Sequence, residues 1–285
     1  MKITVAKSAG FCPGVKRAIK KALDAASSGK RVEMLGDIVH NEIVVEKIRQ
    51  AGIKKVKKLT SGNNKILLIR AHGAPESTID NAARLGYTVI DATCPMVKDI
   101  HQKAKTLFRK GRTILVIGDR QHDEVQGIVG HVPSPVLVIE NPGDIPLEDI
   151  IKIKRAAVVV QSTQSQENVL AVLGILKSHI DDLHFCDTIC RATRLRQQEL
   201  QTLPYENDVV LVIGSKTSAN TKRLYEISLA RNPGTYWILS AGEIDPAWFN
   251  AASSVGITAG ASTPDESIHE VVAYVKGLAG APDGR

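Results

Sequence analysis

Three of the four cysteines lie at points where a strand pattern gives way to a helical pattern. Cys94 follows the apolar run 87–90 and precedes Pro95, which suits a first helical turn because its missing N–H is not needed there. Apolar residues then recur at helical spacing: Met96, Val97, Ile100, Ala104, Leu107 and Phe108. Cys12 and Cys190 precede similar patterns, so the three cysteines recur at intervals of roughly 80 to 100 residues. A thiol at the positive end of a helix is favoured as the thiolate.

The length and composition of the chain are those of a soluble globular protein. Its 285 residues suffice for two or three α/β units, and 43% of them are apolar while 24% are charged. No apolar run approaches the roughly 20 residues that a membrane span needs. Residues 1–7 have the pattern of a first strand and not of a signal peptide, so we expect a cytoplasmic protein that does not enter a membrane.

Charge and cysteine content narrow the range of partners. A net charge of +7 suits an anionic substrate, an acidic protein or nucleic acid. Aromatic residues make up only 4% of the chain, which argues against a base-stacking surface, so no nucleic acid is expected. Four cysteines without a Cys-x-x-Cys pair argue against a secreted disulfide framework, a zinc ribbon and a thioredoxin site.

Strand patterns alternate with helical patterns along the chain, which predicts an α/β fold with parallel sheets. We divide the chain into three α/β lobes, 1–94, 95–187 and 188–285, the last with a short flexible tail that begins near Gly277. The strand–loop stretches that we align between the lobes are 66–73, 114–122 and 210–218. Ligands bind beyond the carboxyl ends of parallel strands. Three lobes related by a pseudo-threefold axis would therefore direct their loops at one central cavity.

The repeated placement of Cys12, Cys94 and Cys190 indicates a shared ligand role. A single such cysteine would be interpreted as a small buried hydrophobic residue, but three at equivalent points favour ligands. Zinc with three cysteines usually takes a fourth Cys or His close in sequence, and a cubane iron–sulfur cluster normally takes four cysteines. Three ligands would leave one iron open to a substrate oxygen. Cys186 is the rival fourth ligand, but it has no counterpart in the other lobes, so we predict a structural role for it.

Polar residues that follow the strands form a second candidate set. Six of them supply hydrogen-bond donors without an acid, which suits a diphosphate, although Ser and Asn also cap helices: His40, His72, His122, Ser218, Asn220 and Ser262. Glu124, two residues after His122, is either a surface carboxylate or, beside a cluster and a diphosphate, a group that holds a proton near neutral pH. The chain has no Walker A or Gly-x-Gly-x-x-Gly motif, so no nucleotide is predicted.

Eight short motifs follow one another over essentially the whole chain: Gly-Phe-Cys-Pro-Gly-Val-Lys-Arg-Ala (10–18), Val-His-Asn (39–41), Ala-His-Gly (71–73), Asp-Ala-Thr-Cys-Pro (91–95), His-Asp-Glu-Val-Gln-Gly (122–127), Asp-Thr-Ile-Cys-Arg-Ala-Thr (187–193), Gly-Ser-Lys-Thr-Ser-Ala-Asn (214–220) and Thr-Ala-Gly-Ala-Ser (258–262). In this order they resemble the motifs of the LytB/IspH family of 4-hydroxy-3-methylbut-2-enyl diphosphate reductases. The combination is far more specific than any one motif.

The resemblance implies a three-lobed α/β fold and a [4Fe-4S] cluster on Cys12, Cys94 and Cys190. It implies a two-electron reduction, the last step of the non-mevalonate isoprenoid route, in which an allylic diphosphate yields isopentenyl and dimethylallyl diphosphate. Glu124 would be the proton source, and Ser162 or Thr163 would bind the substrate hydroxyl. The residues that it implies for the diphosphate are His40, His72, His122, Ser218, Asn220 and Ser262. The basic surface would suit an acidic electron donor such as ferredoxin or flavodoxin.

Four positions depart from the family pattern. Ser162 stands where threonine is usual, Ala219 replaces a serine, Asp119 replaces a histidine and Asp123 replaces a proline. None of these changes removes a predicted ligand of the cluster, but Ala219 removes one hydroxyl from the predicted phosphate site.

Three other functions remain open on the residues alone. An aconitase-type iron–sulfur hydro-lyase would use the open iron without net electron transfer, so consumption of reducing equivalents separates it from a reductase. An iron–sulfur sensor would bind DNA or RNA with a steep dependence on salt. A zinc-bound structural protein would be identified by metal analysis.

Overall fold

The computed structural model of the chain describes residues 1–280 and contains three four-stranded sheets, each wholly parallel, with helices between the strands. The predicted α/β class is therefore confirmed. The strands are β1 (Lys2–Val5), β2 (Arg31–Leu35), β3 (Lys54–Val56), β4 (Lys65–Ile69), β5 (Thr88–Asp91), β6 (Thr113–Ile117), β7 (Leu137–Ile139), β8 (Arg155–Val160), β9 (Asp182–Phe185), β10 (Val209–Ile213), β11 (Thr235–Ile238) and β12 (Ser254–Ala259). The α-helices are α1 (Pro13–Ala26), α2 (Glu42–Gln50), α3 (Glu76–Arg84), α4 (Pro95–Arg109), α5 (Asp123–Val129), α6 (Leu147–Ile150), α7 (Gln166–Lys177), α8 (Arg191–Glu199), α9 (Ala219–Leu229) and α10 (Asp265–Gly280).

The chain folds into two compact units. The first unit comprises Met1–Pro13, His40–Val44 and the chain from Arg191 onward, and the second comprises Gly14–Val39 and Val45–Cys190. The second unit holds two sheets, with the orders β3-β2-β4-β5 and β7-β6-β8-β9. The first unit holds one sheet, with the order β11-β10-β12-β1. All three sheets thus share one plan, except that the fourth place of the first unit's sheet is taken by the N-terminal strand.

This shared order corrects the alignment of strand–loop stretches made from the sequence. β4 occupies the same place as β8 and β12, whereas β6 and β10 occupy the place of β2. The loop with His72 therefore corresponds to the loops after β8 and β12, and the loop with His40 corresponds to those after β6 and β10. The alignment of 66–73 with 114–122 and 210–218 was wrong because β4 has the more continuous apolar run, whereas β2 contains Arg31 and Glu33, and both strands lead to a histidine.

The N-terminal strand β1 pairs with β12, with Ile3 beside Val255. It therefore extends a sheet that otherwise consists of strands after residue 208. The sequence-based division into three lobes, which stays a prediction, counts this strand with the first lobe. The pairing is informative because the segment that leaves β1 leads directly to Cys12.

The central strands are apolar at nearly every position because helices cover both faces of a parallel sheet. Every residue of β10 is buried, as is every residue of β8 after Arg155. Helix α4 follows β5 but packs on β6 and β8 of the next sheet, with Ile100 and Ala104 in the same core cluster as Val116 and Val159. Cys94 thus lies at the point where the chain leaves one sheet of the second unit and joins the other.

The C-terminal helix α10 spans Asp265–Gly280. The flexible tail was predicted from Gly277 onward; residues 277–280 are helical, and 281–285 lie outside the described residues. Across residues 1–280 no helix is both long enough and apolar enough to cross a bilayer.

Candidate functional site

The three predicted cysteine ligands occupy one local structure that occurs three times. Cys94 is the N-cap residue of α4, and Cys12 and Cys190 directly precede the first residues of α1 and α8. Each cysteine donates its backbone N–H to a carbonyl in the loop after β12, β4 or β8, two residues beyond the end of that strand. The bonds are Cys12 to Ala261 at 3.1 Å, Cys94 to Ala71 at 2.9 Å and Cys190 to Ser162 at 3.0 Å. The three positions are therefore equivalent in hydrogen bonding as well as in sequence pattern.

In each of the three loops, the residue after the one that accepts the cysteine N–H is a predicted substrate contact. In each of the three turns a backbone N–H donates to the carbonyl three residues earlier. These bonds are Gly73 to Arg70 at 3.1 Å, Gln164 to Gln161 at 3.0 Å and Thr263 to Gly260 at 3.0 Å. The residues in the equivalent position inside the turns are His72, Thr163 and Ser262. The same backbone turn thus presents an imidazole in one sheet and a hydroxyl in each of the other two.

The loops after the second strand in the order of each sheet carry the second predicted set. His40, His122 and Ser218 each lie five residues beyond the end of β2, β6 and β10; His122 and Ser218 immediately precede a helix, and His40 lies two residues before one. The N-terminus of a helix presents unsatisfied N–H groups and positive potential to an anion. Ser218 and His122 cap their helices, by accepting hydrogen bonds from the backbone N–H groups of Thr221 and Glu124. These loops therefore combine side-chain donors with the positive ends of α2, α5 and α9.

The structure brings His72 and His122 of the second unit together. Their ring centroids lie 5.3 Å apart, and the rings meet edge to face at 86°. His122 Nδ1 accepts a hydrogen bond from the Glu124 backbone at 3.1 Å. The neutral ring therefore carries its proton on Nε2, where it can be donated to a ligand oxygen.

Glu124 lies close to His122 but has a very different environment from a surface carboxylate. It is only 1% exposed. One carboxylate oxygen accepts the Ser162 backbone N–H at 2.6 Å, and the other accepts the Ser162 hydroxyl at 2.8 Å. Burial raises the pKa of Glu124 to about 7, against the lowering effect of the two Ser162 hydrogen bonds. This carboxyl can therefore hold a proton at neutral pH and release it, as a general acid must.

Ser162 and Thr163 have distinct surroundings. Ser162 contacts Glu124 through its side chain, and its own carbonyl accepts the Cys190 N–H. The Thr163 hydroxyl instead accepts a hydrogen bond from Gln161 Nε2 at 3.1 Å. Ser162 therefore connects the candidate acid to the Cys190 turn, and Thr163 occupies the position that corresponds to His72 and Ser262.

The first unit carries the remaining predicted substrate residues. The Ser262 hydroxyl donates to the His40 carbonyl at 2.9 Å, so these two residues lie side by side. Asn220, on the first turn of α9, is 5% exposed. Neither its amide nitrogen nor its amide oxygen has a hydrogen-bond partner within the described chain. A buried amide without partners is costly unless a ligand satisfies it, which supports a binding role for Asn220.

Two residues that sequence reasoning missed pack against these loops. His101, on α4, is 6% exposed and stacks on His131 with ring centroids 4.0 Å apart. A Cβ atom built on Gly73 would lie 2.8 Å from its ring, so His101 supports the turn that carries His72. Burial, followed by the charge of His131, lowers the pKa of His101 to about 3. The burial of His101 could have been predicted from the sequence, because it shares the helical spacing of Val97, Ile100 and Ala104 on the inner face of α4.

Arg196 is the second missed residue. It is 3% exposed, and its two terminal nitrogens donate to the Ala192 carbonyl at 2.8 Å and to the Gly10 carbonyl at 2.5 Å. Gly10 lies two residues before Cys12 and has a φ of +94°, a conformation that favours glycine. Arg196 therefore holds the loop that leads into Cys12.

Cys12, Cys94 and Cys190 together fit a metal centre with thiolate ligands. Cysteine at a helix N-terminus is favoured as the thiolate, and thiolates are the ligands of iron–sulfur clusters. Cys186 differs from the other three: it packs against the apolar core cluster of β6 and β8, and burial raises the pKa of its thiol. This contrast supports the prediction that Cys186 is structural.

Comparison with known proteins decides the family. The model of the family described as LytB protein matches residues 3–276. This chain belongs to the LytB family. Curated LytB relatives include the 4-hydroxy-3-methylbut-2-enyl diphosphate reductases of Trichlorobacter lovleyi, 42% identical over 95% of this chain and 96% of that protein, and of Aquifex aeolicus, 37% identical over 96% of each. That of Geotalea daltonii is 40% identical over 98% of each chain.

Solved structures of LytB-type enzymes share the fold. The solved structure of an (E)-4-hydroxy-3-methyl-but-2-enyl diphosphate reductase, the terminal enzyme of the non-mevalonate pathway, is 37% identical and has a TM-score of 0.72; the match covers 97% of this chain and all of that chain. The corresponding reductase of Plasmodium falciparum is 27% identical, covers 99% of this chain and 89% of its own, and has a TM-score of 0.88. The family resemblance deduced from the motifs is thus confirmed, while the roles of the individual LytB site residues stay predictions.

Proposed function

We propose that this protein reduces (E)-4-hydroxy-3-methylbut-2-enyl diphosphate to isopentenyl and dimethylallyl diphosphate. The activities for which its relatives are named support this substrate. The observation that carries the proposal is the buried Glu124 carboxyl, whose partner Ser162 also accepts the hydrogen bond of Cys190. A proton source is thereby connected, through one residue, to the turn that carries a predicted cluster ligand.

Cys12, Cys94 and Cys190 are the residues that would hold a [4Fe-4S] cluster. Their equivalent positions at helix starts, and their hydrogen bonds to equivalent carbonyls, support this assignment. When bound, such a cluster supplies one-electron transfer and a Lewis-acidic iron that lacks a protein ligand.

The substrate diphosphate would be bound by side-chain donors and helix N-termini. The residues in this role are His40, His72, His122, Ser218, Asn220 and Ser262. The Nε2–H of His122 and the buried amide of Asn220 are suited to donate to phosphate oxygens. Thr163 or Ser162 would hydrogen-bond the substrate hydroxyl, and the connection of Ser162 to Glu124 favours delivery of a proton to that oxygen.

Glu124 would act as the proton source. Removal of the allylic hydroxyl as water takes up two electrons and two protons, one proton for the leaving oxygen and one for the carbon skeleton. Because the pKa of Glu124 is raised to about 7, the carboxyl is protonated below this pH and ionised above it. Turnover is therefore expected to fall as the pH rises through about 7.

The test is anaerobic reconstitution with iron and sulfide, followed by turnover of the allylic diphosphate with reduced methyl viologen. Glu124→Gln should keep its iron and its substrate binding but lose at least ~100-fold in kcat, because general acid catalysis is removed. Glu148→Gln is the control: Glu148 is an exposed carboxylate on α6 outside the predicted site, so kcat should stay within about twofold. Turnover without consumption of reductant, or an unchanged kcat in Glu124→Gln, would contradict the proposal.

A further inference from the structure

Basic side chains from two helices of the second unit converge on the turn that leads into Cys94. Lys21 Nζ donates to the Asp91 carbonyl at 2.8 Å, and Arg17 Nη1 donates to the Thr93 carbonyl at 3.0 Å, both from α1. Lys98, on α4, forms an ion pair with the Asp91 carboxylate. Together with Met96, these residues form what we name the Cys94 basic surface: Arg17, Lys21, Met96 and Lys98.

The positive charge of this surface is only partly compensated. Arg17 and Lys21 contact carbonyl groups, which carry no net charge. Asp91 is the one carboxylate that pairs with any of the three cations within residues 1–280. Although burial would raise the pKa of Asp91, hydrogen bonds from Lys98 and Thr93 hold it below its ordinary value, so the carboxylate is ionised. Two of the three positive charges therefore remain to act on a partner.

An exposed apolar side chain lies near the start of α4, the helix that carries Lys98. Met96 is 43% exposed and lies on the first turn of α4, beside the exposed Pro95 and two residues after Cys94. Methionine is enriched at protein interfaces, and the interfaces that electron-transfer proteins form transiently are small. Methionine also adapts to differently shaped partners because its side chain is unbranched and flexible.

We propose that the Cys94 basic surface is the docking site for an acidic one-electron carrier protein. This inference rests on the proposed function, since a reductase must receive its electrons and Cys94 is one of the proposed cluster ligands. Each carrier molecule loses one electron in one docking event. Two such events, with two protons, convert the allylic C–O bond into a C–H bond and water. Met96 lies two residues after Cys94, so a carrier docked here would be close in the chain to that ligand.

The experiment compares two electron donors on the reconstituted holoenzyme at low ionic strength. The protein donor is reduced flavodoxin, an acidic carrier, and the small donor is reduced methyl viologen, which needs no docking surface. The double variant Lys21→Gln/Lys98→Gln should lower kcat/KM for flavodoxin about tenfold and flatten its dependence on salt, because electrostatic steering is lost. Its rate with methyl viologen should stay within about twofold of wild type.

Lys57→Gln is the matched control, since it removes one exposed lysine from the loop after β3 in the same unit. Its kcat/KM for flavodoxin should be unchanged. The proposal is overturned if the double variant uses flavodoxin as well as wild type does, if Lys57→Gln loses as much, or if methyl viologen turnover falls by the same factor as flavodoxin turnover. A wild-type holoenzyme that reduces the allylic diphosphate with neither donor would instead refute the proposed function itself.

Discussion

At the scale of single residues, Glu124 and His101 show how burial shifts the pKa values of two ionisable groups in opposite directions. Each side chain is less than a tenth exposed. Burial disfavours the charged form of either group, which raises the pKa of the Glu124 carboxyl to about 7 and lowers that of the His101 imidazole to about 3. Both groups are therefore neutral over part or all of the physiological range. Their effects on stability should appear at opposite ends of the pH scale.

Glu124 should make the cluster-free protein less stable as the pH rises. Its folded pKa of about 7 lies above the ordinary value of 4.5, so its contribution is fully present below pH 4.5 and is lost as the pH rises through 7. The loss amounts to about 3 kcal/mol at pH 8. Relative to wild type, Glu124→Gln should therefore be more stable at pH 8 than at pH 5. Urea unfolding at both values measures this difference, and parallel curves would contradict it.

His101 should have the opposite effect. Its folded pKa of about 3 lies below the ordinary value of 6.5, so unfolding takes up a proton between these values and stability falls as the pH drops below 6.5. At pH 5 the loss is about 2 kcal/mol. His101→Gln should lose less stability than wild type between pH 7 and pH 5 in urea titrations. His179→Gln, at an exposed position, is the control and should follow wild type.

At this scale the sequence indicated candidate residues but not their environments. The motif around Glu124 was readable, but its burial and its two bonds to Ser162 depend on β8, which lies 31 residues or more away in the chain. For the same reason the sequence left Ser162 and Thr163 as alternatives. His101 and Arg196 were missed because each contacts a glycine loop that is distant in the chain.

At the scale of secondary structure, the Thr188 side chain takes the place of a neighbouring strand at the end of β8. β9 pairs with β8 up to Phe185, and the Cys186 N–H still donates to the Val158 carbonyl. Beyond this point the Thr188 hydroxyl accepts the Val160 N–H at 2.7 Å and donates to the Val160 carbonyl at 2.7 Å. One side chain thereby satisfies both backbone groups of Val160 at the end of β8, two residues before Ser162.

Thr188→Val should therefore destabilise the protein by about 3 kcal/mol, because it leaves two buried backbone groups without partners while it keeps the shape of the side chain. Thr188→Ser retains the hydroxyl and should cost less than about 1 kcal/mol. Urea unfolding of both variants, compared with wild type, measures the difference. A Thr188→Val variant that is no less stable than Thr188→Ser would contradict this role of the hydroxyl.

The central strands were predicted well because burial on both faces leaves a continuous apolar run in the sequence, as in β8 and β10. Two edge strands were not predicted in this way. β3 consists of two exposed lysines and a valine, and β9 contains an aspartate and an exposed histidine. Such edge strands are stabilised by backbone pairing with one neighbour, and pairing leaves no hydrophobic pattern in the sequence.

At the scale of the whole molecule, three sheets of identical strand order place a cysteine after the fourth strand of each. The cysteines could be recognised from the sequence as equivalent, because a helix start is a local pattern. The loops could not be aligned correctly, since the place of a strand in a sheet is decided by contacts between distant segments. The pairing of β1 with β12 is such a contact. It makes β1 the fourth strand of its sheet, so Cys12 follows a fourth strand as Cys94 and Cys190 do.

This equivalence predicts how iron binding should depend on each cysteine. Wild type reconstituted without oxygen should hold about four iron atoms per chain. Cys12→Ala, Cys94→Ala and Cys190→Ala should each lose most of this iron, because each removes one of three equivalent thiolates. Cys186→Ala is the matched control and should keep its iron, since Cys186 packs against the core and burial raises the pKa of its thiol. Iron analysis beside circular dichroism separates loss of metal from loss of fold. Full iron in any of the first three variants, or its loss in Cys186→Ala, would show that the repeated helix-start position does not determine which thiols bind the cluster.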